Sequence, residues 1–119
     1  MTPDELFHFV QERFHVEPDH PWSKHPDFAV LRHQDTRKWF GLYMNVPATR
    51  LGFASNGEID VLNVKVDPDD ALVLQYAEGI FPAYHMNKKH WVSLLTEKLP
   101  NAVIEELLET SFRLTEGKK

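Results

Sequence analysis

Residues 79–91 read Gly79-Ile80-Phe81-Pro82-Ala83-Tyr84-His85-Met86-Asn87-Lys88-Lys89-His90-Trp91. This is the only long segment of the chain that combines basic side chains and three aromatic rings with no acidic residue. A fully buried connection would not carry two adjacent lysines, and a plain solvated loop would not need so many large apolar side chains. The composition therefore predicts a surface segment with a partly apolar contact, and it makes 79–91 the first candidate for a binding site.

The length and composition of the chain favour one folded domain spanning residues 1–119. The 119 residues are 42% hydrophobic and 26% charged, as in ordinary globular proteins. The sequence has no cysteine, which excludes disulfides, thiolate chemistry and cysteine-ligated zinc or iron–sulfur sites. The N-terminus lacks the basic and apolar regions of a signal peptide, and no apolar run reaches the length of a membrane span. We therefore expect a cytoplasmic protein.

The charge of the chain is unevenly distributed. A net charge of -5 argues against nucleic-acid binding, because such binding depends mainly on attraction between basic side chains and phosphates. Residues 20–57, however, contain five basic and only two acidic side chains. A protein of negative net charge can still present one positive face.

Capping signals predict three helices. Thr2 and Glu5 form a capping box around Pro3 and start a helix that ends near Phe14. Asp67-Pro68 starts a short second helix, for which Gly79 is the expected stop, and Leu99-Pro100 opens the third. The tail 116–119 is expected to fray. The predicted buried helix positions are Leu6, Phe7, Val10 and Phe14, then Ala71, Leu72 and Leu74, and finally Val103, Ile104, Leu107, Leu108 and Ser111.

Four strands are predicted over residues 28–32, 38–46, 58–66 and 91–95, and prolines 18, 21 and 26 leave room only for a short edge strand ending near Trp22. In the second strand, alternation predicts that Phe40, Leu42, Met44 and Val46 face one way and that Trp39, Tyr43 and Asn45 face the other. The third strand contains a change of phase, since its apolar positions are odd up to Val61 and even from Leu62. Either a bulge lies there or the strand begins there. The order of elements predicts an α+β fold, a two-layer sandwich in which helices pack against an antiparallel sheet.

Three parts of the chain resemble the MmcQ/YjbR family: the segment 79–91, the strand-to-helix junction Val64-Lys65-Val66-Asp67-Pro68, and residues 107–112. The match is looser at Arg37-Lys38-Trp39-Phe40, where Arg37 stands in place of the family's glycine. The resemblance covers nearly the whole chain. It implies a CyaY-like (frataxin-like) fold and a DNA-binding function.

The sequence gives no positive support for an enzyme, a metal site or a cofactor. Seven histidines are present, but no two have the spacing of a recognised ligand pair. The iron-binding acidic ridge of frataxin-like proteins is represented only by a sparse set of carboxylates around the first helix. Ser111 lacks the Gly-x-Ser-x-Gly context of a nucleophile and lies on the core-facing side of its helix, which predicts a buried structural serine.

The remaining candidate chemistry is the combination of aromatic and basic side chains, since bases stack on aromatic faces while lysine and arginine contact phosphates. We therefore predict a non-enzymatic DNA-binding protein. The alternative is an adaptor that binds a protein or a small ligand through the same segment as an aromatic-lined groove. A positive face joining Lys38, Lys65, Lys88 and Lys89 would favour nucleic acid, and a closed apolar pocket at Trp91, which we expect to be mainly structural, would favour a ligand. The predicted site residues are Lys38, Trp39, Lys65, His85, Asn87, Lys88, Lys89, His90 and Trp91.

Overall fold

The computed structural model describes residues 1–117; Lys118 and Lys119, the end of the tail expected to fray, lie outside them. Five strands form one antiparallel sheet in the order β1-β2-β3-β5-β4. The predicted α+β fold, with helices packed against an antiparallel sheet, is confirmed. The elements are α1 Pro3–Phe14, β1 Ala29–Arg32, β2 Trp39–Pro47, a 3-10 turn Ala48–Leu51, β3 Glu58–Lys65, α2 Pro68–Leu74, β4 Ile80–Pro82, β5 Trp91–Leu95 and α3 Asn101–Leu114.

Helices α1 and α3 cover one face of the sheet, which we call the inner face. Helix α1 begins at the predicted capping box, where the backbone N–H of Glu5 donates to Thr2 Oγ1 and the Thr2 N–H donates to the Glu5 carboxylate. These contacts satisfy backbone donors that the first helical turn leaves unpaired. The main core lies between these helices and the sheet and includes Leu6, Val10, Phe40, Leu62, Val64, Val92, Leu94, Ile104 and Leu108.

The opposite face of the sheet, the outer face, is covered as well. Loop residues 20–28, 48–57 and 83–91, which we call the outer layer, contribute apolar side chains that pack against a second cluster on this face. Because the outer layer buries this face as well, β3 carries apolar residues on both sides. This explains its change of phase, since Val61 belongs to the outer cluster and Leu62 to the inner one. Pairing of β3 with β2 is continuous from Glu58 to Val64, so the strand contains neither the bulge nor the late start that its pattern suggested. The buried outer cluster consists of Val30, Leu42, Met44, Val46, Val61 and Leu95.

The start of β2 contains the irregularity that the sequence did not reveal. Arg32 pairs with Trp39 and Leu31 pairs with Gly41, so Phe40 is an extra residue without a partner on β1. A bulge of this kind reverses the direction of the side chains around it. Phe40 consequently lies in the inner core and Trp39 packs against the outer cluster, and the predicted orientations of these two side chains were wrong.

Ser111 of α3 joins β2 to β3 beside this bulge. Its hydroxyl donates to the Phe40 carbonyl at 2.6 Å and accepts from the Lys65 N–H at 2.9 Å. The hydroxyl thus links two strand groups that lie one position beyond the regular pair of Gly41 with Val64. The prediction of a buried structural serine is confirmed, since Ser111 has no exposed surface.

Three smaller predictions were wrong. Helix α2 ends at Leu74, five residues before Gly79, which instead adopts φ 95° in the turn before β4. Leu72 is 72% exposed, because the short α2 turns only its Ala71 side fully into the core. The edge strand expected near Trp22 is reduced to a single bridge between Asp19 and Val30. Among residues 1–117, no helix is long and apolar enough to cross a membrane.

Candidate functional site

The start of the segment 83–91 is fixed to the outer face by a buried polar network. Asn63 of β3 donates from Nδ2 to the Tyr84 carbonyl at 2.8 Å and accepts at Oδ1 from the Ser93 hydroxyl at 2.5 Å. The same hydroxyl accepts from the Tyr84 N–H at 2.9 Å. Asn63 and Ser93 are fully buried, and every buried polar side-chain atom among the described residues has a partner. The Tyr84 backbone is therefore held to β3 and β5 by two hydrogen bonds, and a third joins their side-chain partners Asn63 and Ser93.

The rest of this segment is a turn stabilised by hydrogen bonds between its own residues. Asn87 Oδ1 accepts from the N–H groups of Lys89 and His90 at 2.8 and 3.2 Å. Lys88 folds back so that Nζ donates to the Ala83 carbonyl at 2.9 Å. His85 has φ 64°, and its ring centroid lies 3.9 Å from that of Tyr84. Two of the predicted binding residues, Asn87 and Lys88, thus also shape the turn that carries the others.

Four residues on adjacent strands form a basic-aromatic row across one end of the outer face: Arg32, Trp39, Lys65 and Trp91. Arg32 pairs with Trp39, and Lys65 pairs with Trp91. Directly opposite residues have Cβ atoms about 4.5–5.5 Å apart. The Arg32 guanidinium lies 5.5 Å from the Trp39 ring centroid and is also paired with Asp19 at 2.9 Å, so it holds the indole in place. Because the Phe40 bulge turns Trp39 to this face, the row depends on that irregularity.

A cleft of about 650 Å³ runs over β2 next to the row. Its floor contains Leu42, Met44 and Val46, and its volume is within the range of small-molecule sites. Aromatic rings from the outer layer form its sides, with Trp22 packed edge-on against Trp39 at 6.0 Å. The other lining residues are Phe28, Tyr84 and Met86, together with His25, Asn45, Arg50, Glu58 and His85, of which Asn45 and Glu58 occupy strand positions whose side chains alternate toward the inner face.

Charge is separated between the two sides of the sheet. The three helices carry eight carboxylates and only two arginines, whereas the three outer-layer segments carry four cations and a single carboxylate, Asp27. Four histidines also belong to the outer layer. The excess negative charge of the chain therefore lies mainly on the helical side, and the outer layer carries more positive than negative side chains. The outer-layer cations are Lys24, Arg50, Lys88 and Lys89.

Eight of the nine predicted site residues lie in or beside the outer layer, in three groups, and Lys38 is separate from them. Trp39 and His85 line the cleft, and Lys65 and Trp91 complete the row. Lys38 is exposed in the turn before β2, and the turn of the 83–91 segment carries the remaining four, Asn87, Lys88, Lys89 and His90. Trp91 is half-buried and belongs to neither apolar cluster, and the cleft lies beside Trp39 rather than at Trp91.

Sequence reasoning missed the far side of the cleft, formed by Trp22, His25 and Phe28. A signal was present, because these residues lie in a proline-interrupted stretch that could not form a regular element. Large aromatic residues in such a stretch need a surface to pack against, and here that surface is the outer face. Within residues 1–117, no three histidine, aspartate or glutamate side chains come together as a metal-ligand group.

The chain is similar to a known protein family and to uncharacterized bacterial proteins. A family model described as YjbR matches residues 12–114. YyaQ of Bacillus subtilis (strain 168), an uncharacterized protein, is 44% identical over 116 residues, which cover 97% of this chain and 98% of YyaQ. YbdF of Escherichia coli O157:H7, also uncharacterized, is 38% identical over 58 residues, or 47% of this chain and 48% of YbdF.

Two solved structures share the fold. A crystal structure of a Pseudomonas syringae protein superposes with a TM-score of 0.95 at 41% identity, covering 98% of this chain and 100% of that one. The Deinococcus radiodurans protein with a DUF419 domain gives a TM-score of 0.69 at 27% identity, covering 95% of this chain and 77% of that one.

Proposed function

The chain belongs to the YjbR family, and we propose that it is a non-enzymatic protein that binds nucleic acid, DNA in particular, through the outer layer. The observation that carries the proposal is the basic-aromatic row, in which Trp39, Lys65 and Trp91 follow one another across three adjacent strands. Aromatic faces suit stacking with bases, and ammonium groups suit phosphates. The excess of cations in the outer layer supplies the attraction to phosphates that the net charge of the whole chain does not.

The roles of the lysines follow from their contacts. Lys88 uses one of its three ammonium donors on the Ala83 carbonyl, which fixes its position and leaves two donors for a phosphate. Lys89 is exposed and its side chain has no hydrogen bond or ion pair within residues 1–117. Replacing Lys89 therefore tests phosphate contact without disturbing the structure. Replacing Lys65 tests the contribution of the row.

The test is fluorescence anisotropy of labelled DNA at several salt concentrations. Wild-type binding should weaken steeply with salt, and Lys89→Ala or Lys65→Ala should each flatten the log–log slope by about 0.7–0.9. Lys98→Ala is the matched control, because Lys98 is exposed beside Glu78 and Glu97, away from the outer layer. Absence of salt-dependent binding at low ionic strength would refute the proposal.

The cleft supports a second candidate function, an adaptor that binds a protein segment or a small ligand. Its aromatic walls and apolar floor suit an uncharged partner equally well. The two candidates differ in their response to salt, since burial of apolar surface does not weaken when salt screens charges. Binding of a partner with no salt dependence would favour the adaptor.

A further inference from the structure

The cleft over β2 is chemically different at its two ends. At one end lie Trp39 and the rest of the basic-aromatic row. At the other end lie Arg50 and Glu58, the latter paired with Pro47 at the end of β2. The strand between Trp39 and Pro47 is about 26 Å long at about 3.3 Å per residue. Arg50 forms no ion pair with any of residues 1–117, so its guanidinium remains available to a ligand.

Resting on the proposed function, we infer that the cleft receives an unstacked nucleobase, and that the protein therefore binds single strands in preference to duplexes. In a duplex the faces of the bases are covered by their neighbours and the pairing edges are occupied. A base can enter the cleft that Trp22 and Tyr84 line only when it has left the stack. The sheet floor is closed beneath by Met44 and Val46, which leaves no passage for a paired base.

The polar groups of the cleft fit the two parts of a nucleotide. Arg50 offers donors for the carbonyl and ring-nitrogen acceptors on the edge of a base. Lys65 of the row and Lys89 of the adjacent turn attract phosphate, so the sugar–phosphate backbone should run toward them. An aromatic peptide could fill the apolar walls, but it would bring no phosphates to the cations of the outer layer.

The experiment compares three labelled oligonucleotides by fluorescence anisotropy at several salt concentrations, beginning at low ionic strength. They are a single strand, the duplex of the same sequence, and a single strand of abasic sugar–phosphate units that keeps the phosphates. Stacking on aromatic side chains contributes roughly 1–3 kcal/mol per base, so the normal strand should bind roughly 5- to 150-fold more tightly than the abasic strand. The duplex should bind more weakly than the single strand.

Trp22→Ala should remove most of the difference between normal and abasic strands. Tyr76→Ala is the matched aromatic control, because Tyr76 is 91% exposed just after α2 and outside the outer layer. If Trp22→Ala fails to fold, the abasic comparison on wild-type protein still decides the question.

The outcomes separate this inference from the proposed function. Equal, salt-dependent binding of all three oligonucleotides would overturn the base site and leave nucleic-acid binding intact. No salt-dependent binding of any oligonucleotide would overturn both. Displacement of the bound strand by the peptide Phe-Tyr-Phe, but not by a nucleoside monophosphate, would assign the cleft to peptides and overturn the inference.

Discussion

Replacing Ser111 by alanine should destabilise the protein far more than the loss of one surface hydroxyl. The hydroxyl donates to the Phe40 carbonyl and accepts from the Lys65 N–H, and the serine itself is fully buried. Each buried polar group left without a partner costs about 1–3 kcal/mol. Removal of the oxygen leaves two such groups, so we expect a loss of about 2–6 kcal/mol in the free energy of unfolding.

Urea denaturation followed by tryptophan fluorescence measures this loss as a lower midpoint at unchanged slope. The matched control is Thr110→Ala, one residue earlier in α3, where the hydroxyl accepts only from Arg113 at 3.4 Å. Both substitutions gain a similar helix propensity from alanine, so the difference between them isolates the two buried groups. A loss below about 0.5 kcal/mol for Ser111→Ala would refute the reasoning. It would mean that β2 and β3 close on each other and form the hydrogen bond directly.

Three further results are expected. Asn63→Ala should lower the free energy of unfolding by about 1–3 kcal/mol in urea titrations, because the Tyr84 carbonyl loses its buried donor; a midpoint equal to that of wild type would contradict this. Gly41→Ala should cost about 1–3 kcal/mol by the same assay, since its Cβ would lie 2.7 Å from Leu31 Cδ1 in a fully buried site; unchanged stability would show that Leu31 moves aside freely. Burial lowers the pKa of His33 below its usual value, against the opposing effect of nearby carboxylates, so the unfolded chain takes up the proton first and stability should fall as pH drops below about 6.5. Comparison of urea midpoints at about pH 7.5 and about pH 5.5 tests this, and His33→Gln, which cannot titrate, should show a smaller change.

The elements with strong local signals could be predicted from the sequence. The start of α1 follows from the capping box at Thr2 and Glu5, and the start of α2 follows from Asp67-Pro68. The burial of Ser111 follows from its helical phase alone. These features depend on residues close together in the chain, for which propensity and capping rules hold.

The errors arose where distant parts of the chain decide the outcome. The change of phase in β3 required knowledge that loops cover the outer face, since a sheet buried on both sides loses its alternation of apolar and polar residues. The inversion of Trp39 and Phe40 depends on a bulge opposite β1, and its only local marker in β2 is Gly41, which equally fits a close approach of another chain segment. The segment around Trp22 has no periodic pattern, so its place over β2 could only be seen in three dimensions. The proline-interrupted stretch indicated that these aromatic residues need a surface to pack against, but it did not indicate which surface.

The strand order β1-β2-β3-β5-β4 makes β1 and β4 the edges of the sheet, where another chain could pair with it. Edge strands normally offer unpaired backbone groups to which another chain can add a strand. At one edge, β1 has four residues, and both backbone groups of Val30 already bond Asp19 at 2.8 and 2.9 Å. At the other edge, β4 has three residues and ends in Pro82, which has no N–H to donate. Both edges are therefore poor templates for an added strand, and the side chains on the faces of the sheet are the better surface for a contact.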